Sequence, residues 1–192
     1  MNKSRASVIA ALLITGLALV YVGSTLAGWE PSLGWLIQAI IHLGELSAVA
    51  ALAYSNAAGR SQLAHVGLAV AIVGQLILAA AEVIWPSTPN LGDALFSVSP
   101  ILTGAGLIVA GVAVIRAKIR AGPSRALPLT LGLYTVFVLI PVMIGSGGPP
   151  APLALWTIGG WDLLWFLVSA SVLNSTRAAH PSDRVTARVT VD

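Results

Sequence analysis

Three residues that can bind protons or cations lie close together in an otherwise apolar segment. Gln38, His42 and Glu45 occupy positions i, i+4 and i+7, and an α-helix places such positions on one stripe. At a rise of 1.5 Å per residue, they lie about 5, 10 and 15 Å below Trp35. An imidazole beside a carboxyl group suits proton transfer and cation binding. We therefore predict that this stripe is part of a ligand- or proton-binding site.

Two other apolar segments carry the remaining candidates for this site. Gln75 and Glu82 are seven residues apart, so they share a helical stripe. Asp162 lies at about the same depth as Glu45, judged from the helical rise. Because an acid at mid-span costs about 2.5–3.5 kcal/mol on insertion, we expect Glu45 and Asp162 to face the protein interior or a wet cavity.

The charge balance of this region is the strongest indication of function. It contains the acids Glu45, Glu82, Asp93 and Asp162 with one imidazole, His42, and no Lys or Arg. Such acids must be protonated, bonded to polar groups or balanced by a cation. The alternatives are that His42 links helices as a structural hydrogen-bonding group, and that Glu82 and Asp93 are interfacial residues. Asp93 is also a candidate cap for the helix that follows it.

Six apolar segments must position these residues. The chain of 192 residues is 57% hydrophobic and only 9% charged, with a mean hydropathy of +0.90, whereas a soluble domain carries about 25% charged residues. Segments of about 20 apolar residues can cross a bilayer core. The prediction is an all-α, polytopic transmembrane bundle of six helices in residues 1–175. The predicted spans are residues 7–27, 33–56, 63–85, 91–115, 126–145 and 153–174.

The basic residues predict the orientation of these spans. All ten fall in the N-terminal stub, the even-numbered connections or the tail: Lys3, Arg5, Arg60, Arg116, Lys118, Arg120, Arg125, Arg177, Arg184 and Arg188. Lys and Arg are retained on the cytoplasmic side during insertion. We therefore expect a multi-pass protein of the cytoplasmic membrane with both termini in the cytoplasm, an uncleaved first span and a mobile cytoplasmic tail at 176–192.

Tryptophans and prolines cluster toward the opposite side. All six tryptophans belong to that half, and the first four are expected to form an interfacial belt. Pro100 and Pro141 each remove a backbone hydrogen bond, which would free the carbonyls of Phe96 and Phe137. They either open the helices near the site or only bend them. Small residues such as Gly67 and Gly106 favour close packing of helices. They are compatible with a homo-oligomer.

Composition also excludes several kinds of function. The chain has no cysteine, which rules out thiolate metal sites, disulfides and cysteine nucleophiles. The pI of about 9.8 is explained by the topology-determining basic residues, so we expect no nucleic-acid partner. The sequence identifies no cofactor.

Three function classes remain. The first is an integral membrane protein whose outward-facing acidic cavity binds or transports a cation or a proton-coupled small solute. The second is a non-catalytic membrane subunit or scaffold. The third, which the sequence favours least, is an intramembrane enzyme with a metal held by His42, Glu45 and Asp162, because one histidine and no cysteine make a poor zinc site.

The span pattern resembles that of small six-span integral membrane proteins of bacteria. Three motif-like stretches accompany it, His42-Leu43-Gly44-Glu45-Leu46, Ala81-Glu82-Val83-Ile84-Trp85-Pro86 and Gly160-Trp161-Asp162-Leu163-Leu164-Trp165. The resemblance covers the span pattern alone, so it implies no activity and transfers no functional residue.

Overall fold

The protein is a bundle of six helices in the computed structural model, which describes residues 3–55, 59, 61–119 and 122–178, with the side chains of 6–174 within these ranges. Within these ranges there are no strands, and each of six helices is long and apolar enough to cross a membrane. The helices are α1 (Lys3–Leu26), α2 (Gly34–Tyr54), α3 (Gln62–Ile84), α4 (Pro89–Ala117), α5 (Pro123–Ser146) and α6 (Pro152–Ala178).

Each predicted span corresponds to one of these helices, so the six-helix architecture is confirmed. The largest differences are at the two ends of the chain, where α1 starts at Lys3 and α6 continues to Ala178. Backbone hydrogen bonding can continue into polar sequence after the apolar pattern has stopped. Helix α6 therefore takes up 176–178 of the segment predicted as a tail, and residues 179–192 lie outside the described part.

Capping residues fix the ends of several helices. The Ser61 hydroxyl accepts a hydrogen bond from the Ala64 N–H at 3.2 Å, which caps the start of α3. Helix α4 begins at Pro89 after Thr88, because the fixed φ of proline suits the first helical position. The prediction that Asp93 caps α4 is therefore wrong. Asp93 lies in the second turn, and its carboxylate accepts a hydrogen bond from the Trp85 indole at 3.0 Å.

The helices pack in chain order around the bundle, and α6 closes the ring by contacting both α1 and α5. Helix α2 also touches α6. The most extensive interface joins α3 and α4. There, a Cβ on Gly106 would lie 2.5 Å from the Ala71 nitrogen, and a Cβ on Gly67 would lie 2.6 Å from the Ala110 nitrogen. The small residues noted in the sequence thus allow contact between backbones within one chain.

The two interior prolines have different consequences. Helix α4 continues through Pro100 without interruption. Helix α5 changes to a π-helical segment over Thr135–Leu139, and the Ile140 N–H bonds to the Thr135 carbonyl. This segment directly precedes Pro141, and a local π turn is one way in which a helix adjusts to a disturbed hydrogen-bond ladder. The expected helix break therefore occurs in α5 alone.

The outer surface of the bundle is apolar along its length. Side chains such as Leu13, Val20, Phe137 and Ile144 are more than half exposed, as expected of residues that face acyl chains. Trp29, Trp85 and Trp156 are also exposed. They lie near the connections 27–33, 85–88 and 147–151, and we call this side of the bundle the tryptophan end.

Candidate functional site

The candidate site is centred on His42, near the middle of α2. Its Nδ1 lies 2.8 Å from Oε2 of Glu45, one turn further along the same helix. Its Nε2 lies 3.7 Å from Oε1 of Glu82 on α3, which is an ion-pair distance rather than a hydrogen bond. Both ring nitrogens therefore face a carboxyl group, and all three residues are buried. The three-residue spacing of His42 and Glu45 within α2 places them side by side. Glu82 reaches the imidazole because α3 packs against α2.

Asp162 joins this group from the sixth helix. It is 4% exposed, and it lines the same cavity as His42. Its neighbour Trp161 has its ring centre 6.1 Å from that of His42. We call His42, Glu45, Glu82 and Asp162 the carboxyl–imidazole cluster. Three helices, α2, α3 and α6, contribute to it.

A cavity of about 80 Å³ lies on one side of the cluster. Residues of helices α1, α2 and α6 and of the connection 147–151 line it. Its walls include His42 and Asp162 but neither Glu45 nor Glu82. The complete lining consists of Tyr21, Val22, Thr25, Gln38, Ile41, His42, Pro149, Leu155, Ile158, Trp161 and Asp162. His42 therefore separates the cavity from the two glutamates.

A second polar region lies on the opposite side of Glu45. Gln75 is fully buried on α3, and neither its amide oxygen nor its amide nitrogen has a hydrogen-bond partner among the described residues. The same is true of Oε1 of Glu45 and of the hydroxyls of Ser99 and Thr103 on α4. Gly74, the residue before Gln75, packs directly against Thr103. Burial of a polar group without a hydrogen-bond partner lowers the stability of the fold. This region therefore contains polar side chains that destabilise the bundle.

All six residues predicted for the site are accounted for in the bundle. Glu45, Glu82 and Asp162 gather around His42, Gln38 lies on the cavity wall, and Gln75 lies in the second polar region. The alternative that Glu82 is an ordinary interfacial residue does not fit its burial at 8% exposure or its distance from His42. The expected link between His42 and Glu45 is present.

Sequence reasoning missed the contribution of α1 and of one hydrogen bond to the site. Tyr21 and Thr25 line the cavity, and the signal that could have found them is their four-residue spacing in an apolar helix. The Trp161 indole donates a hydrogen bond to the Thr135 hydroxyl at 2.9 Å. That bond fixes the ring next to His42 and connects α6 to the first residue of the π-helical segment.

The metal alternative gains no support from the geometry. In the described part of the chain, no group of three or more His, Cys, Asp or Glu side chains is arranged to hold a metal ion. His42 directs both of its nitrogens at carboxyl groups, whereas a metal ligand needs one of them free for the ion.

The chain was compared with known proteins at three levels. No protein-family model, no curated protein and no solved structure matches it. The geometry of the cluster and cavity is therefore the basis for any functional conclusion.

Proposed function

We propose that this chain is an integral membrane protein that binds a proton or a small cation at the carboxyl–imidazole cluster. The observation that carries the proposal is the position of His42 between the cavity and two buried glutamates. An ionisable residue inside a membrane bundle is costly, and such residues commonly mark ion or proton pathways. Here four of them, from three helices, are held together.

The charge count supports cation binding. The cluster contains three carboxyl groups and one imidazole, and the Lys or Arg nearest in sequence to any of the four is fifteen residues away, Arg60 from Glu45 and Arg177 from Asp162. A protonated His42 can balance one carboxylate. The two other acids must carry protons or share a bound cation, because an isolated buried carboxylate is strongly disfavoured.

The arrangement around His42 supports proton transfer between the two glutamates beside the cavity. Asp162 and His42 line the cavity, and Glu45 lies behind the imidazole at hydrogen-bond distance. Imidazole accepts a proton at one nitrogen while it donates from the other. Because one nitrogen faces Glu45 and the other faces Glu82, a proton can pass between the two glutamates through the imidazole without a path through lipid.

The proposal includes access to the site from the side opposite the cytoplasm. Thr25 and Pro149 line the cavity at the tryptophan end, and the basic residues of the sequence lie at the other end of the spans. The absence of cysteine gives a clean test by labelling with an impermeant maleimide in intact cells. Glu30→Cys is expected to be labelled and Lys118→Cys to be protected, and the reverse pattern would contradict this orientation.

The central experiment compares two double variants that each remove two carboxyl groups. In Glu45→Gln, Asp162→Asn the acids come from the cluster. In the control Glu30→Gln, Asp93→Asn they come from exposed positions. Thermal unfolding in detergent is measured across pH and with added cations. We expect the wild type and the control to shift by several degrees, since 1 kcal/mol corresponds to about 2–4 °C for a chain of this size.

The cluster variant is expected to fold but to lose this shift. If it responds to pH and cations as the control does, the cluster binds neither, and the protein is better described as a non-catalytic membrane subunit or scaffold whose polar residues specify packing. Unchanged expression and monodispersity of the cluster variant would exclude simple misfolding as the cause of a lost response.

A further inference from the structure

The cavity lining identifies the class of cation. Resting on the function proposed above, we infer that the cavity binds a small protonated alkylamine of two to four non-hydrogen atoms, with its ammonium group on Asp162 and its alkyl part against the apolar wall. The inference depends on the lining and the size of the cavity. It does not depend on proton binding at the glutamates.

The lining combines one acidic side chain with several apolar ones. Asp162 supplies the only acidic group of the lining, and Thr25 and Gln38 supply neutral oxygens. The apolar side chains include Val22, Ile41, Leu155 and Ile158. A ligand that matches both kinds of side chain carries a positive charge at one end and methyl or methylene groups at the other.

Two aromatic rings complete the match to an ammonium group. Tyr21 and Trp161 line the cavity, and the faces of such rings attract cations within about 6 Å. The hydrogen bond from the Trp161 indole to Thr135 holds one of these rings in place. The other ring, that of Tyr21, packs edge-on against Trp29 with ring centres 6.4 Å apart.

Bare metal ions fit this lining poorly. Ca²⁺ takes six to eight oxygen ligands, and Mg²⁺ retains several of its waters in an octahedral shell. The cavity offers few oxygen atoms, and about half of its lining residues are aliphatic or proline. An ammonium group needs only three acceptors, or fewer where an aromatic face replaces one.

The volume sets the upper size limit. An apolar cavity of about 150 Å³ in another protein holds benzene, which has six carbon atoms. The 80 Å³ cavity is about half that size, so it has room for methylammonium, dimethylammonium or ethylammonium. Bulkier cations such as tetraethylammonium are excluded.

The experiment uses the full-length protein in detergent with chloride salts of methylammonium, ethylammonium, tetraethylammonium and potassium. Thermal shift and the fluorescence of the protein are recorded at constant ionic strength. We expect saturable responses to methylammonium and ethylammonium and none to potassium or tetraethylammonium. Asp162→Asn is expected to weaken the alkylammonium response at least about tenfold, as loss of a charge-assisted contact implies.

A pair of substitutions at Ile158 separates this inference from the proposed function. Ile158→Phe fills the cavity and is expected to abolish the alkylammonium response while the pH response of the cluster remains. Ile158→Ala enlarges the cavity and is expected to extend the response to butylammonium, which has five non-hydrogen atoms. Ile158 is only half-buried, so both variants are expected to fold.

Each contrary result has a distinct meaning. A potassium response equal to that of methylammonium would overturn the amine assignment but leave cation binding in place. A response to pH alone would also overturn it, and the site would then bind only protons. If the wild-type protein responds neither to pH nor to any of the cations, the proposed function is overturned as well.

Discussion

Two interfaces of this bundle are built in opposite ways. Between α3 and α4, glycines bring two backbones into direct contact, and a Cβ on Gly106 would lie 2.6 Å from the Gly67 carbonyl oxygen. Where α2 faces α3 and α6, polar side chains fill the space between helices, with His42 between Glu45 and Glu82. A cavity accompanies the second arrangement.

Under the proposed function, residues that stabilise the bundle and residues that bind a ligand lie at different interfaces. Inside a membrane, burial of apolar groups gives little preference for helix association, so close backbone contact and interhelical hydrogen bonds must supply it. The α3–α4 interface supplies close contact through Gly67 and Gly106. The interface around His42 instead holds groups that are costly to bury. We expect substitutions in the first region to alter mainly folding and those in the second to alter mainly the response to ligands.

The largest expected effect is at the glycine interface. Gly106→Ala places a Cβ against the Ala71 backbone, which cannot move aside without separating the two helices. We expect a loss of about 3 kcal/mol in the free energy of unfolding, at the upper end of the usual range for overpacking. Unfolding in a mixed-detergent titration measures it.

Gly23→Ala is the matched control for this substitution, because nothing lies within 4 Å of its added Cβ. It is expected to unfold at the same detergent composition as the wild type. Equal stability of the two alanine variants would mean that the backbones of α3 and α4 do not meet as described.

A smaller loss is expected from removal of the imidazole. His42→Ala leaves two buried glutamates without their shared partner, and an unsatisfied buried group costs about 1–3 kcal/mol. His65→Ala removes an exposed imidazole that hydrogen-bonds the Ser61 carbonyl of its own helix end, so it is expected to have almost no effect. The same unfolding titration compares the two, and equal losses would argue against a special role for His42.

Loss of one interhelical hydrogen bond comes next in size. Trp161→Phe removes the indole N–H that bonds to Thr135, and bonds between membrane helices average about 0.6 kcal/mol. Trp156→Phe, at an exposed position, serves as the control. We also expect Trp161→Phe to reduce the alkylammonium response, because the ring is no longer fixed beside the cavity. A response that is unchanged in both variants would exclude this ring from binding.

The smallest effect, and one of opposite sign, is expected at Gln75. Its side chain is fully buried near Glu45 and makes no well-formed hydrogen bond among the described residues, so Gln75→Leu replaces a costly polar group by an apolar group of similar size. Stability is expected to stay level or to rise by up to about 1 kcal/mol. If the variant loses stability, Gln75 makes a stabilising contact, and the polar region beside Glu45 is a structural network.

Much of the fold could be predicted because the apolar segments exceed the length needed to cross a bilayer. All six helices were located, and the errors fell at ends such as Pro89, where a proline rather than the hydropathy pattern begins the helix. Pro100 and Pro141 could not be distinguished in advance. Whether a proline leaves a helix continuous or produces a π-helical segment depends on which neighbouring helices pack against it.

The sequence by itself determined that His42 and Glu45 lie on one helical face, because the geometry of the α-helix relates positions three and four residues apart. It also determined that no nearby basic side chain in the spans balances the acids. Only the tertiary structure decided that Glu82 and Asp162 join His42, that α1 closes the cavity, and that Gln75 lies apart from it. The physical reason is that the rotation of each helix about its axis is set by packing between helices, and residues distant in sequence carry no local signal of that rotation.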